Sequence, residues 1–128
     1  MSFNVEQTAA AMAGAAIDVL RGDLGDEGRR AQMRSVFEVT LKRIRIAVDG
    51  FIAGDFGDRE DESAQDELLA WIRASIQLMM ENFKRIYETI KIAVRKAWDA
   101  AMAVLEGAIE TAIGAVVPFD LPRLPGLA

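Results

Sequence analysis

The sequence predicts an all-α protein: a helical hairpin (about residues 4–21 and 26–53) packed on one long C-terminal helix (about 63–116), with an extended, proline-containing tail. Three observations carry this expectation. Apolar residues from Leu68 to Ala112 recur in steps of three and four without a slip of phase, the period of one helical face. Two earlier stretches show the same kind of pattern and are separated by glycine-rich turn sequence. All three prolines lie at or after residue 118, so none interrupts a helix upstream. The chain divides into a single helical domain, residues 1–117, and a tail, residues 118–128.

Asn4 is a suitable N-cap for the first helix, with Gln7 at the capping-box position three residues on. Ala9, Ala10, Met12, Ala13, Ala16, Ile17 and Leu20 make its apolar side, and the many alanines give a thin cylinder of high helix propensity. Gly22-Asp23-Leu24-Gly25-Asp26 ends it. The second helix has its main apolar face at Met33, Phe37, Thr40, Leu41, Ile44, Ala47, Val48 and Phe51. A thinner seam of Val39, Ile46, Gly50 and Ala53 runs along its back, so contacts on two sides are expected.

The acidic stretch from Gly54 to Glu62 is a turn. Ser63 then reads as the N-cap of the long helix, with Asp66 in the first turn. Leu68, Ile72, Ile76, Met79, Phe83, Ile86, Ile90, Val94, Ala97, Ala101, Val104, Ala108 and Ala112 form one side of it, with a mean step near 11/3. Ile92 is the misfit, an apolar residue in the polar band. Gly107 is the expected weak point. Unbroken, the helix would be roughly 80 Å long.

Composition excludes many chemistries. With 128 residues the chain suits one domain with a real core, and 52% hydrophobic residues set it apart from disordered sequences. It has no cysteine and no histidine, which removes thiol nucleophiles, imidazole-based triads and most zinc, haem and iron–sulfur ligation. The net charge of −5 argues against nucleic acid as a partner. The basic residues of the second helix, Arg29, Arg30, Arg34, Lys42, Arg43 and Arg45, spread around more than half its circumference instead of forming a patch. No signal peptide or spanning stretch is read, so the expected location is cytoplasmic, or within an assembled particle.

The candidate sites reduce to structural readings. Asp55, Asp58, Glu60, Asp61 and Glu62 lack the glycine and glutamate spacing of a calcium loop and read as a solvated acidic turn. Met79, Met80, Phe83, Tyr87 and Trp98 read as core, with Tyr87 and Trp98 toward its border. Glu81, Glu88, Glu106 and Glu110 lie among cations on the polar band, and no catalytic, cofactor or metal constellation emerges.

The functional expectation is a non-enzymatic structural or interaction protein that self-assembles through its helices. It would be a scaffold or assembly component of the viral or secretion-particle kind, with itself as main partner. The argument is one of length. The second helix can cover only the first half of an 80 Å helix, leaving Val94, Ala97, Trp98, Ala101, Val104, Leu105, Ala108, Ile109 and Ala112 for a neighbouring copy. Phe119, Leu121, Leu124 and Leu127 make the tail too apolar for a free end, so it is expected to dock. The alternative is a binder of membranes or other hydrophobic surfaces, disfavoured because the polar face after Ala97 is acidic.

Overall fold

In the computed structural model, residues 3–20, 27–86 and 92–114 are described. They form four helices: α1 (Val5–Val19), α2 (Glu27–Ala53), α3 (Glu62–Lys84) and α4 (Ile92–Ile113). These make an up-down bundle with no strand among the described residues. The first two helices lie close to their expected bounds. The cap of α1 is as the sequence indicates: the Gln7 N–H donates to Asn4 Oδ1 at 2.9 Å.

The largest departure concerns the long helix. The span 63–116 is not one rod. Helix α3 ends at Lys84, Arg85 and Ile86 form a turn, and α4 begins at Ile92. The second half then runs back along the first. Arg59, just before α3, donates to the carbonyl of Ile113 at the far end of α4. Phe83, near the end of α3, meets Trp98 in the first turns of α4, with ring centroids 5.2 Å apart. A straight helix would separate Phe83 from Trp98 by about 22 Å. Gly107, the expected weak point, sits inside α4 without breaking it.

Burial explains why the fold-back wins. Val94, Ala97, Trp98, Ala101, Leu105 and Ile109 are buried inside the chain. Shielding a large apolar side chain is worth about 1.5–3 kcal/mol. Opening one turn gives up a few backbone hydrogen bonds of about 1 kcal/mol net each, so the burial outweighs the break.

Helix α1 is the partner that α4 needs, and the two share the most extensive backbone approach of any helix pair among the described residues. Small buried side chains on both helices, Ala9, Ala13 and Ala16 on α1 and Ala97 and Ala101 on α4, permit that approach. Helix α2 packs on α1 and α3 and only locally on α4. The backbones of α3 and α4 stay apart, and bulky rings fill the space between. Phe37 of α2 stacks on Phe83 at 5.9 Å, and Phe83 tilts against Trp98. All three rings are fully buried. Trp98 is therefore central in the core and not at the border expected for it.

The turn between α2 and α3 is closely specified. The Gly54 N–H donates to the Phe51 carbonyl and the Asp55 N–H to the Gly50 carbonyl, the paired bonds of a Schellman ending. Gly54 has φ 83°, which only glycine adopts cheaply. The N-cap of α3 is Asp61, two residues before the expected Ser63, which lies inside the helix and is exposed. Asp61 makes no capping bond through its side chain. The chain is wound in early by other groups: the Glu60 N–H donates to Asp58 Oδ1, and Gln65 Nε2 donates to the Arg59 carbonyl.

Candidate functional site

The back of α2 holds an unfilled apolar surface among the described residues. Core residues Phe37, Leu41, Ile44 and Val48 take one side of the helix, and the 3.6-residue period puts Val39 and Ile46 on the other. Val39 is 58% exposed and Ile46 70% exposed. Trp71, on the neighbouring α3, is 54% exposed. Single exposed apolar residues are ordinary. Here Ile46 and Trp71 line the same groove.

That groove has a volume of ≈ 350 Å³ and runs between α2 and α3 down to the turn that joins them. Arg43, Ile46, Gly50, Phe56, Trp71 and Ala74 line it. Its lower end depends on Gly50. A Cβ there would stand 3.4 Å from Asp55 Oδ2 and 3.7 Å from the Phe56 ring, so the absent side chain lets the turn close onto α2. On the α3 wall, the Ser75 hydroxyl donates to the Trp71 carbonyl at 2.9 Å. Its polarity is thus used within the helix, and the wall stays mainly apolar.

Arg59 connects this turn to the end of α4. Its guanidinium donates to the Ile113 carbonyl, where a cation complements the helix dipole. It also lies over the Phe51 ring, 5.9 Å from the centroid. The Gly114 N–H donates to the Glu110 carbonyl and closes α4 beside it. Gly114 and the end of α4 therefore lie at the same end of the bundle as the turn that closes the groove.

The residues assigned to an oligomer interface lie elsewhere. Val94, Ala97, Trp98, Ala101, Leu105 and Ile109 are buried in the core, and Val104, Ala108 and Ala112 are half-buried against it. The premise that no helix of the chain covers them does not hold, because α1 does. Phe119, Leu121, Leu124 and Leu127 lie outside the described residues, as do Tyr87, Glu88 and the Gly22–Asp26 turn. Arg34, Lys42, Arg43 and Arg45 are exposed, and Glu38, Lys42 and Arg45 share a polar recess with the start of α1. Asp55, Asp58, Glu60, Asp61 and Glu62 are exposed, and Asp58 serves the turn itself.

Trp71 and Phe56 escape a reading of the sequence. Trp71 sits beside Ile72 at the edge of the apolar stripe, where periodicity leaves core and surface undecided. The available signal was a tryptophan flanked on its outer side by Ala70 and Ala74, small residues that leave one wall of the ring open. No helix among the described residues is long and apolar enough to cross a membrane. Comparison with protein-family models, curated proteins and solved structures finds no match for the chain.

Proposed function

We propose that this chain is a non-enzymatic interaction protein that associates with copies of itself, through the outer face of α2 and α3. The observation that carries this reading is the pairing of two large exposed apolar side chains, Ile46 and Trp71, in one groove. Exposed apolar patches of this kind mark contact surfaces. Small residues lining the groove, Ala47, Gly50 and Ala74, favour close approach of another helix.

Charge favours a second copy. Arg43 lines the groove on α2, and Glu67 and Glu81 are exposed on α3. A two-fold axis parallel to the helices sets α2 of one copy over α3 of the other, opposing unlike charges and placing Ile46 level with Trp71 of the second copy. Such a surface is self-complementary, as closed two-fold association requires. An axis across the helices would set basic α2 on basic α2.

Sedimentation velocity over a concentration series tests the proposal. Wild-type protein should show concentration-dependent dimer. Ile46→Glu combined with Trp71→Glu should remain monomeric with unchanged helicity, because both positions are exposed in the single chain. A wild type that stays monomeric throughout the millimolar range refutes the reading. So does a charged variant that associates as well as the wild type.

A further inference from the structure

We propose that the α2–α3 groove binds a short apolar peptide with both termini free, its carboxylate at Arg43 and its ammonium group at Asp55. The two charges belong to opposite ends of the groove. A Cβ at Gly50 would stand 3.4 Å from Asp55 Oδ2, so this carboxylate sits at the lower end, beside the turn. Arg43 lines the groove from two helical turns before Gly50, about 10 Å further up α2. Between the two poles the walls are apolar: Ile46 from α2, Trp71 and Ala74 from α3, and Phe56 from the turn. Among the described residues, neither the Arg43 guanidinium nor the Asp55 carboxylate meets an opposite charge or a hydrogen-bond partner.

This order of charges selects the ligand. An uncharged apolar molecule would leave both poles unmatched, and a simple anion or cation would match one of them. A ligand that matches both carries opposite charges about 10 Å apart on an apolar body. Extended peptide spans at most about 3.3–3.6 Å per residue, so three residues set the terminal ammonium and carboxylate at that separation. The direction is fixed, with the N-terminus at the turn. Its C-terminus meets Arg43, whose planar fork can hold a carboxylate through two parallel bonds. The aromatic walls receive the apolar side chains. A volume of ≈ 350 Å³ and a mainly apolar lining with a few polar groups are the attributes of small-ligand sites.

The site needs the groove alone and not self-association. A second copy would cover the same Ile46 and Trp71, so peptide and dimer should compete.

Nitrogen-15 spectra of the full chain test the site, with the tripeptide Leu-Phe-Leu as probe. The chain has two tryptophans. Trp71 is exposed in the groove and Trp98 is fully buried, so their indole N–H signals give a reporter and an internal control. The Trp71 signal should shift saturably, with half-saturation below about 1 mM, while the Trp98 signal stays in place. Weaker binding, no shift, or equal shifts of both signals overturns the proposal. Acetylating the peptide's N-terminus, or amidating its C-terminus, should each weaken binding about threefold or more. Both poles are exposed, so Asp55→Asn and Arg43→Gln should leave the helicity unchanged. Asp55→Asn should abolish the effect of acetylation and keep that of amidation; Arg43→Gln should do the reverse. Caps without effect, or cap effects that persist in both variants, overturn the assignment of the poles. Failure here is separable from failure of self-association. Peptide binding by a chain that stays monomeric keeps the site and removes the dimer, and a dimer abolished by Ile46→Glu in a chain that binds no peptide does the opposite.

Discussion

A double-mutant cycle at Phe83 and Trp98 asks whether the second half of the chain folds back. Both side chains are fully buried, and their rings lie 5.2 Å apart at an interplanar angle of 57°. Phe83→Leu and Trp98→Leu should each lower stability by about 1–3 kcal/mol, from lost buried surface and the small cavities left behind. Those single losses do not discriminate, since either residue would be buried in many arrangements. The coupling between them does. Tilted aromatic pairs contribute about 0.5–1.5 kcal/mol beyond area burial, so the double variant should lose less than the sum of the singles by that amount. Against a total stability of about 5–15 kcal/mol, all four proteins should remain folded. Urea unfolding followed by circular dichroism at 222 nm is the assay, because one variant removes a tryptophan. In an unbroken helix the two residues would be about 22 Å apart and additive to within about 0.3–0.5 kcal/mol. A coupling inside that error refutes the fold-back.

Three further outcomes follow from the local geometry. Asn4→Ala should cost about 1 kcal/mol by releasing the Gln7 N–H, while Asn4→Asp should keep most of the stability; thermal melting of the two variants checks this. Arg59→Ala should cost about 1 kcal/mol, since it removes a charge-assisted bond to the end of α4 and the contact with Phe51, and urea titration measures it. Asp58→Asn with Glu60→Ser and Glu62→Ser should change stability by less than about 1 kcal/mol, because these side chains are exposed and asparagine keeps the turn acceptor. A calcium titration of wild-type melting should be flat, and a steep rise would reveal a metal site.

Much of the bundle was legible because its signals are local. The Asn4 cap, the end of α2 and the apolar faces of all the helices depend on residues within a turn or two of each other. The break between α3 and α4 was not legible, for a physical reason. Core positions on either side of it share one helical phase, and Phe83-Lys84-Arg85-Ile86 contains neither glycine nor proline. Periodicity reports which residues face a core, not whether one rod or two carry them. The decision comes from α1, whose alanine face is remote in sequence and suits α4. The residue that did break the pattern was Ile92, which is 61% exposed and opens α4. The groove was half legible: the second seam of α2 pointed to Val39 and Ile46, but Trp71 depended on knowing how α3 is rotated.

The pairing of α1 with α4 has a consequence during synthesis. The α2–α3 hairpin joins neighbours in sequence and can close as soon as it leaves the ribosome. Helix α1 cannot complete its packing then, because its partner α4 is made after both α2 and α3. Until α4 emerges, Ala9, Met12, Ala13 and Ala16 have only α2 to shelter them. Such a nascent chain is open to mispairing with another copy's α4, as an exchanged helix or an aggregate. Chains truncated anywhere before α4 should be the aggregating species in cells, and the product that contains α4 should tolerate surface change better than any delay in finishing that helix.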